Sequence, residues 1–448
     1  MIIPVLRVGR EERASDMKLR CSIRMAALSA ACLAGLSVPA SAETLQEALT
    51  AAWLNNPGLD QQRDAARIAQ ERITEARAQR RPTVDLYSGY VYQSIDTNRP
   101  FAFNTGDFPV ASAQLETRLP LYTGGRIVAG VRQARAGAMA ADAQLDSAGQ
   151  ALLLDTLTAY VDILRDREVI LIRQSSIELL TGQLTQSQDR FEVGDVTRTD
   201  VALSEARLEG GRAQLAAAEA QLEGSLAVYG FLTGLEAGAL SPVPPTPALP
   251  ASFEEALEIA LQSNPDITSA RHAEKAAAEG VEVARGALRP EVSIIAQAGV
   301  EEYHTEGFTD TSVVAGAQAR IPLYAGGANS SALRQARLER SQAQSQLSQL
   351  QRAVRTQVAR AWYAHLAAER AVEASKRQVD AAEIAYEGAQ QELSVGTRTT
   401  LDVLDQEQQL LEARLSLATS ERDRYVAAHQ LLAAMGKLTP ERLGLSVY

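Results

Sequence analysis

The stretch Leu119-Pro-Leu-Tyr-Thr-Gly-Gly125 separates two kinds of sequence, and it occurs a second time as Ile321-Pro-Leu-Tyr-Ala-Gly-Gly327. Before each copy, apolar and polar residues alternate along the chain. After each copy, residues 126–192 and 328–394 contain no proline. Alternation is typical of β-strands, whereas a long stretch without proline is compatible with one uninterrupted helix. We therefore predict two strand-to-helix junctions and assign to them Pro120, Gly124, Gly125, Pro322, Gly326 and Gly327.

Motifs on both sides of this stretch also recur, so the chain is a duplicated module. Leu45–Pro57 returns as Phe253–Pro265, Arg81-Pro82 as Arg289-Pro290, and Val193–Val201 as Val395–Val403. Matching residues lie 208 positions apart before the glycine pairs and 202 positions apart after them, which places a six-residue deletion between Arg-Pro and the glycines. A period of about 200 residues is too long for a solenoid unit. We predict a first repeat over 43–235, a proline-rich linker over 236–251, a second repeat over 252–437 and a tail over 438–448.

Residues 1–42 have the features of a secretory signal peptide. Basic residues precede an apolar run, and Ala40-Ser-Ala42 supplies the small residues of a cleavage site. Both cysteines of the chain, Cys21 and Cys32, lie in this segment, so neither disulfides nor thiol chemistry are expected in the mature chain. The start codon, Met1 or Met17, and lipidation of Cys32 stay open.

Charge and composition exclude several functional classes. The full chain carries a formal net charge of −11, and removing the six basic and three acidic residues of the signal peptide leaves −14. A nucleic-acid partner would need a basic face, so none is predicted. The mature sequence has no run of about 18 apolar residues that would indicate a transmembrane helix. No nucleophile motif or metal-ligand spacing occurs among the histidines, so we predict neither an enzyme nor a cofactor; these histidines are His272, His304, His365 and His429.

Four segments show the alternation of β-strands, two in each repeat. The residues on their apolar sides are 84, 86, 90 and 92, the odd positions 111–119, the even positions 292–300 and the odd positions 313–321. Period-two alternation over about ten residues is typical of a membrane strand with one face to lipid and one to a wet interior. A half-buried soluble sheet is the alternative, but four matching strands between long helices favour the membrane. We predict β-hairpins over 83–119 and 291–321.

Helical periodicity occupies the rest of each repeat. Residues 44–80 and 252–288 are predicted as one helix each, ending at the Arg-Pro pairs. The proline-free stretches are each predicted as one helix of about 67 residues, roughly 100 Å long, with coiled-coil spacing. After turns at Gly194 and Gly396, helices return over 198–233 and 400–435. This gives long helical hairpins over 123–234 and 325–436, and the spacing assigns Gln408 to the coiled-coil seam of the second return helix.

Four membrane strands cannot close a barrel, because the smallest closed transmembrane barrels have about eight. Open strand edges are not tolerated in lipid, so several chains must share one barrel. Two copies would contribute eight strands and three copies twelve. The attached helices would then project from one side as a hollow stem, which indicates a conduit across an outer membrane and the periplasm.

The recurring motifs resemble those of the TolC-type outer-membrane efflux proteins over essentially all of 43–440. The residues that carry the resemblance are Ala48-Leu49 with Asn56-Pro57, Arg81-Pro82, Pro120–Gly125 and Val395-Gly-Thr-Arg-Thr-Thr-Leu-Asp-Val-Leu-Asp405. The resemblance implies a mainly α fold with transmembrane β-strands. It also implies a homotrimer in the outer-membrane lipid, with four strands per chain in a shared 12-stranded barrel and a coiled-coil tunnel of twelve helices in the periplasm.

The resemblance further implies partners and a route of export. A periplasmic adaptor, also called a membrane fusion protein, would connect the channel to an inner-membrane transporter. The run Arg190–Val201 looks most like the branch that serves ATP-driven type I protein secretion through an ABC exporter. Multidrug efflux by a proton-driven pump is the alternative, and a periplasmic coiled-coil adaptor or a structural protein ranks lower.

Residues at the two Val-Gly turns receive roles from the same resemblance. Asp402 and Asp405 match aspartates that form the cation-selective constriction of the closed tunnel in this family. Arg398 and the pair Thr199 and Asp200 match positions that link neighbouring helix tips and keep the entrance shut. Gly194 and Gly396 would permit the tight turns.

The residues alone leave a simpler alternative open for these aspartates. Asp402 lies three positions after Thr399, which is the spacing of a helix capping box, and acidic residues are favoured near any helix N-terminus. The family often has an aromatic residue where this chain has Leu393. A hydrogen bond from that position is therefore not expected.

Overall fold

The computed structural model describes residues 42–96, 106–303 and 308–445. The predicted signal peptide, apart from Ala42, lies outside these residues, together with Cys21 and Cys32. The elements in chain order are α1 (Leu45–Asn55), α2 (Pro57–Ala78), β1 (Thr83–Ile95), β2 (Gly106–Tyr122), α3 (Arg126–Glu192), α4 (Arg198–Thr233), α5 (Phe253–Ser263), α6 (Pro265–Gly286), β3 (Glu291–Tyr303), β4 (Phe308–Arg320), α7 (Ala328–Ser394) and α8 (Thr400–Ala434).

Each of the two predicted N-terminal helices is broken in the middle, so the expectation of one helix over 44–80 and one over 252–288 was wrong. Proline has no N–H and forces the preceding residue out of the helical conformation. Asn56 and Asn264 are extended, with ψ of 117° and 124°, and each caps the next helix, whose first residue is the proline. Their side-chain amides also donate to carbonyls at the ends of α4 and α8, at 3.0 and 3.1 Å.

The four strands form one antiparallel sheet in the order β1-β2-β3-β4. The two hairpins have the same register, since Thr83 pairs with Arg118 and Glu291 pairs with Arg320, which are matching residues of the two repeats. β1 and β3 have 13 residues each. The six-residue deletion therefore lies in the segment that connects the two strands of each hairpin.

The register confirms the predicted alternation of the strands. One row across the sheet consists of Leu86, Leu115, Ala298 and Val313. The adjacent row, on the opposite face, consists of Asp85, Glu116, Gln297 and Val314. Leu86 is 71% exposed and Val313 is 77% exposed, so the described residues leave these apolar side chains uncovered. A continuous apolar face of this kind indicates contact with lipid or another protein surface.

One predicted junction residue lies inside a strand. β2 is paired on both sides and continues to Tyr122, which pairs with Val292 beyond an irregularity at Pro120. A proline without an N–H is tolerated at such a bulge. Among the described residues β4 is paired with β3 alone, and it ends at Arg320, so Pro322 lies beyond the end of the strand.

Each repeat continues into a helical hairpin whose first helix, α3 or α7, has 67 residues. Gly125 and Gly327, with φ of 86° and 84°, precede these helices in a left-handed conformation. In the described part of the chain, no helix is both long and apolar enough to cross a membrane. The largest apolar core lies at the middle of the long helices, where Leu153, Leu157 and Val358 meet the ends of α4 and α8.

The predicted linker over 236–251 contains no helix and only one bridging residue, and apolar side chains of this segment pack against the core. Leu240 forms a parallel β-bridge with Glu43, the first residue after the predicted cleavage site. The Tyr160 hydroxyl lies 2.9 Å from the Glu43 carbonyl and 2.7 Å from that of Ser241. The Tyr229 hydroxyl donates to the Glu43 carboxylate at 2.6 Å. These contacts hold Glu43 and the linker against α3 and α4 of the first repeat.

Candidate functional site at the helical turns

Both long helices end in turns of the same geometry. Gly194 and Gly396 each have a φ of +80°, a left-handed conformation that glycine adopts at little cost. Their N–H groups donate to the carbonyls of Phe191 and Leu393 at 3.0 and 3.1 Å. These contacts reverse the chain between α3 and α4 and between α7 and α8.

Each return helix begins with a capping box. The Asp200 carboxylate accepts hydrogen bonds from the N–H and the hydroxyl of Thr197, both at 2.8 Å. The Asp402 carboxylate accepts the same bonds from Thr399, at 3.0 and 2.7 Å. These bonds satisfy polar groups that a helix N-terminus leaves without a partner. Within one chain, the contacts of Asp402 are thus those of the capping alternative.

The same hydrogen bonds keep both aspartates ionised. The Thr197 N–H and then its hydroxyl lower the pKa of Asp200. The Thr399 hydroxyl and then its N–H lower the pKa of Asp402, and the positive charge of Arg398 adds to this effect. A carboxylate that accepts several hydrogen bonds is favoured in its charged form. Both residues therefore carry negative charge at neutral and mildly acidic pH.

The other predicted constriction residue has a partner on the other hairpin. Asp405 lies three positions after Asp402 in α8, and its Oδ1 accepts a hydrogen bond from Nη2 of Arg207 in α4 at 3.0 Å. The Arg207 side chain is 38% exposed and that of Asp405 is 50% exposed, so water screens this ion pair. The pair joins the ends of the two helical hairpins within one chain.

The structure does not bring Arg398 and Asp200 together within one chain. The Nε of Arg398 lies 2.5 Å from Oε2 of Glu392, at the end of the preceding helix. Thr199 is exposed beside Asp200, whose carboxylate is occupied by Thr197. Arg398 and Glu392 belong to the same turn and are therefore close, whereas Asp200 belongs to the turn of the other hairpin. A contact of Arg398 with Asp200 of a neighbouring copy stays a prediction.

Two apolar clusters support the turns. Leu180 of α3, Leu208 of α4 and Leu404 of α8 pack together and connect the two hairpins. Leu393 packs with Val403 in the second hairpin and is 7% exposed. The position where an aromatic residue was expected from the resemblance thus contributes apolar packing here.

A buried carboxylate lies beneath the exposed ion pair. Glu407 of α8 is 6% exposed, and its Oε1 accepts a hydrogen bond from the hydroxyl of Ser176 in α3 at 2.5 Å. Burial raises the pKa of Glu407, while the hydrogen bond from Ser176 and the charge of Arg207 oppose that increase. This contact also joins the two hairpins.

Glu407 was not predicted from the sequence, because the heptad spacing was assigned with Gln408 as the polar residue of the coiled-coil seam. Gln408 was expected there, yet it is only partly buried. The buried face of α8 passes through Leu404, Glu407 and Leu411. This spacing of three and four also fits a seam. Arg207 gave no signal, because its partner lies 198 residues away.

The turns therefore concentrate negative charge at the far end of the hairpins from the sheet. Asp200, Asp402 and Asp405 are all found there, and three copies would multiply these carboxylates around one axis. Rings of acidic side chains select cations in channels. In the described part of the chain, no group of three or more His, Cys, Asp or Glu residues could hold a metal ion.

Comparisons with known proteins bear on the whole chain. A family model described as outer membrane efflux protein matches residues 48–228 and 256–437, once in each repeat. The chain is 31% identical to the outer membrane efflux protein BepC of Brucella suis over 412 residues, covering 91% of this chain and 88% of that protein. It is 29% identical to the outer membrane protein TolC of Vibrio cholerae over 426 residues, covering 92% and 94%. It is 28% identical to the alkaline protease secretion protein AprF of Pseudomonas aeruginosa over 325 residues, covering 70% and 67%.

Solved structures have the same fold. The crystal structure of the outer membrane protein VceC from Vibrio cholerae is similar with a TM-score of 0.75 at 20% identity, covering 88% of this chain and 96% of that chain. The Campylobacter jejuni CmeC outer membrane channel is similar with a TM-score of 0.77 at 16% identity, covering 97% and 94%. Helix, sheet and hairpin thus follow one architecture in these three chains.

Proposed function

Because this chain belongs to the outer membrane efflux protein family, we propose that three copies of it form the exit duct of a tripartite export system. The coarse function follows from the family: the chain is an outer-membrane channel for efflux or secretion, and its helical hairpins lie in the periplasm. In the proposal, a periplasmic adaptor links it to a transporter of the inner membrane.

The observation that carries the shared barrel is the pair of strand edges that the described residues leave uncovered, and the number of three copies comes from the resemblance of the chain to its family. β1 and β4 are the edges of a sheet whose apolar face is exposed. Lipid offers no hydrogen bonds to an open edge, so the edges of different copies must pair with each other. Three copies contribute twelve strands, and the same operation arranges twelve long helices into a tunnel.

The aspartates of the second turn form the constriction in this proposal. Asp402 and Asp405 of three copies supply six carboxylates at the narrow entrance, where Gly194 and Gly396 mark the helix tips. Arg398 of one copy contacts Asp200 and Thr199 of the next and keeps the entrance closed. Arginine suits this role because its hydrogen bonds to a carboxylate are directional. At an exposed site such a contact is weak enough for a docking adaptor to break.

We favour type I protein secretion as the route. The run Arg190–Val201 resembles that branch, and the similarity to a protease secretion protein supports it. Multidrug efflux is the second candidate, because the efflux protein BepC is more similar in identity and covers more of the chain. The periplasmic adaptor and the structural coiled coil are set aside, because the family match spans both repeats.

Reconstitution of the purified mature protein in planar bilayers tests the channel and its constriction. The wild-type trimer should conduct, prefer cations and be blocked by the trivalent cation hexamminecobalt(III). Asp402→Ala combined with Asp405→Ala should weaken that block and preserve assembly. A wild-type protein that yields no conductance, or a double variant with unchanged block, would contradict the proposal.

The route is tested by deleting the gene in its natural host. Type I secretion predicts loss of one or more secreted proteins from the culture medium, with unchanged drug sensitivity. Multidrug efflux predicts the opposite pattern, with lower inhibitory concentrations of several drugs and an unchanged set of secreted proteins. Complementation with the wild-type gene should restore whichever phenotype is found.

A further inference from the structure

Arg207 lies between two carboxylates at the junction of the hairpins. Its Nη2 donates to Asp405 at 3.0 Å. Its charge also stabilises the ionised form of Glu407, the buried carboxylate that contacts Ser176. One guanidinium thus interacts with two carboxylates of the same helix, α8, one of them exposed and the other buried.

The duplication supplies no second copy of this contact. At the interval of 202 residues, Asp405 matches Leu203 and Arg207 matches Gln409. The equivalent contact between hairpins of neighbouring copies would therefore join a leucine and a glutamine. The ion pair is confined to the interface within one chain, so it distinguishes that interface from the one between copies.

The ion pair changes what Asp405 can do at the constriction. A carboxylate bound to a guanidinium is neutralised at close range, and attraction of a further cation falls accordingly. Asp402 accepts hydrogen bonds from neutral donors of Thr399 and forms no ion pair among the described residues, although the charge of Arg398 acts on it from nearby. The two aspartates are therefore not equivalent.

We propose that Arg207 is a specificity-determining and positioning residue of the channel entrance: it holds Asp405 against the first hairpin and limits the negative charge of the constriction. This inference rests on the proposed function, since it requires Asp402 and Asp405 to line the pore. Movement of the second hairpin away from the first breaks the ion pair and frees Asp405 to bind cations.

The test is single-channel recording from full-length mature trimers in planar bilayers. Arg207→Ala should strengthen block by hexamminecobalt(III) by roughly two- to fivefold, the range expected for loss of one exposed ion pair. The permeability ratio of cations to anions should rise in the same variant. Arg207→Lys should stay close to wild type, because it retains the positive charge. Adding Asp405→Asn to Arg207→Ala should remove the gain in block.

Arg212→Ala is the matched control, because Arg212 lies on the same helix and, among the described residues, forms its ion pair with Glu209, three residues away, at 2.6 Å. It removes one positive charge without touching α8 and should leave block and selectivity unchanged. Block in Arg207→Ala equal to that of wild type would overturn the inference. A gain that persists after Asp405→Asn would overturn it too, because the effect would then not act through Asp405.

Failure of the inference is distinguishable from failure of the proposed function. If wild-type trimers do not conduct, the channel assignment itself is wrong. If wild-type trimers conduct and are blocked while Arg207→Ala behaves as wild type, only the role of Arg207 is wrong. Trimer formation of Arg207→Ala is checked first on gels without heating, and Arg207→Gln, which also removes the positive charge, replaces it with the same expected gain in block if the alanine variant does not assemble.

Discussion

The charged residues of the two turns already have ion-pair or hydrogen-bond partners within their own chain. The free energy of any contact between copies therefore includes the loss of these partners. Arg398 must leave Glu392, and Asp200 must share its carboxylate with Thr197, before the two can meet. Neither exchange requires burial of a charge. Exposed ion pairs exchange partners at little net free energy, so in the proposed channel Arg398 and Asp200 would change partners between a closed and an open state.

Replacing Arg398 by serine should raise the conductance of the reconstituted trimer. The variant removes the guanidinium that would link neighbouring tips, and the closed fraction should fall by up to about fivefold, the effect of losing one exposed ion pair. Arg190→Ser is the control, because Arg190 contacts Asp195 in the first turn and has the same local role. Equal conductance changes in the two variants would show that turn stability, not a link between copies, is responsible.

Glu407 should make the packing of the two hairpins depend on pH. Burial raises its pKa above the ordinary value of 4.5, whereas separation of the hairpins would expose it and return the pKa to that value. Packing is therefore most stable below pH 4.5 and weakens as the pH rises through the raised pKa. The groups that face Glu407 are Ser176, Arg207 and Tyr386, and none of them changes charge in this range.

The measurement is channel conductance between pH 4 and neutral pH, compared with Glu407→Gln. Wild-type conductance should increase with pH over the window above 4.5 and then become constant. The glutamine variant keeps the size and the hydrogen bond to Ser176 but cannot ionise, so its conductance should not follow this curve. A variant with the same pH profile as wild type would assign the dependence to another group.

At the scale of elements, the duplication predicts how copies join. Within the chain, Thr117 of β2 pairs with Ala296 of β3. The residue that matches Thr117 is Ala319 of β4, and the residue that matches Ala296 is Ser88 of β1. Because both hairpins have the same register, Ala319 should pair with Ser88 of the neighbouring copy.

Cysteine pairs can test this register, since both native cysteines lie in residues 1–42. Ala319→Cys combined with Ser88→Cys should give disulfide-linked dimers and trimers on oxidation, because facing Cβ atoms are about 5 Å apart. The two positions lie on opposite edges of the sheet, so one chain cannot form this bond alone. Ala317→Cys with Ser88→Cys is displaced by two residues and should cross-link much less. Equal yields from the two pairs would disprove the predicted register.

The elements differ in how far the sequence could predict them. The strands and long helices were predictable because alternation, heptad spacing and proline are properties of neighbouring residues. The prolines that follow Asn56 and Asn264 also indicate the breaks at these residues, although the helical periodicity predicted a single helix across each of them. Glu407 and the pair of Arg207 with Asp405 were not predictable, because they depend on which helices become neighbours in space.

At the scale of the whole molecule, matching residues of the two repeats also predict contacts between copies in the proposed trimer. Arg289, from the Arg-Pro pair of the second repeat, donates to the Gly124 carbonyl at 2.9 Å. A Cβ at Gly124 would lie 2.6 Å from both Arg289 and Gly286, so the first glycine pair is tightly packed inside the chain. Among the described residues, no atom lies within 4 Å of such a Cβ at the matching Gly326.

The residue that matches Arg289 is Arg81, and we expect it to donate to the Gly326 carbonyl of the neighbouring copy. Arg81→Ala should therefore lower the temperature at which the trimer dissociates, measured as heat-modifiable migration on gels, while the helix content of the chain stays unchanged. A hydrogen bond from a charged group contributes about 1.5–3 kcal/mol, and each trimer would lose three of them. Arg80→Ala, at the adjacent position, should have little effect.

Arg289→Ala should instead destabilise each copy by itself. Loss of helix content before dissociation of the trimer would therefore identify a contact inside the chain. If Arg81→Ala dissociates at the wild-type temperature, the repeats do not use the same contact inside a chain and between chains.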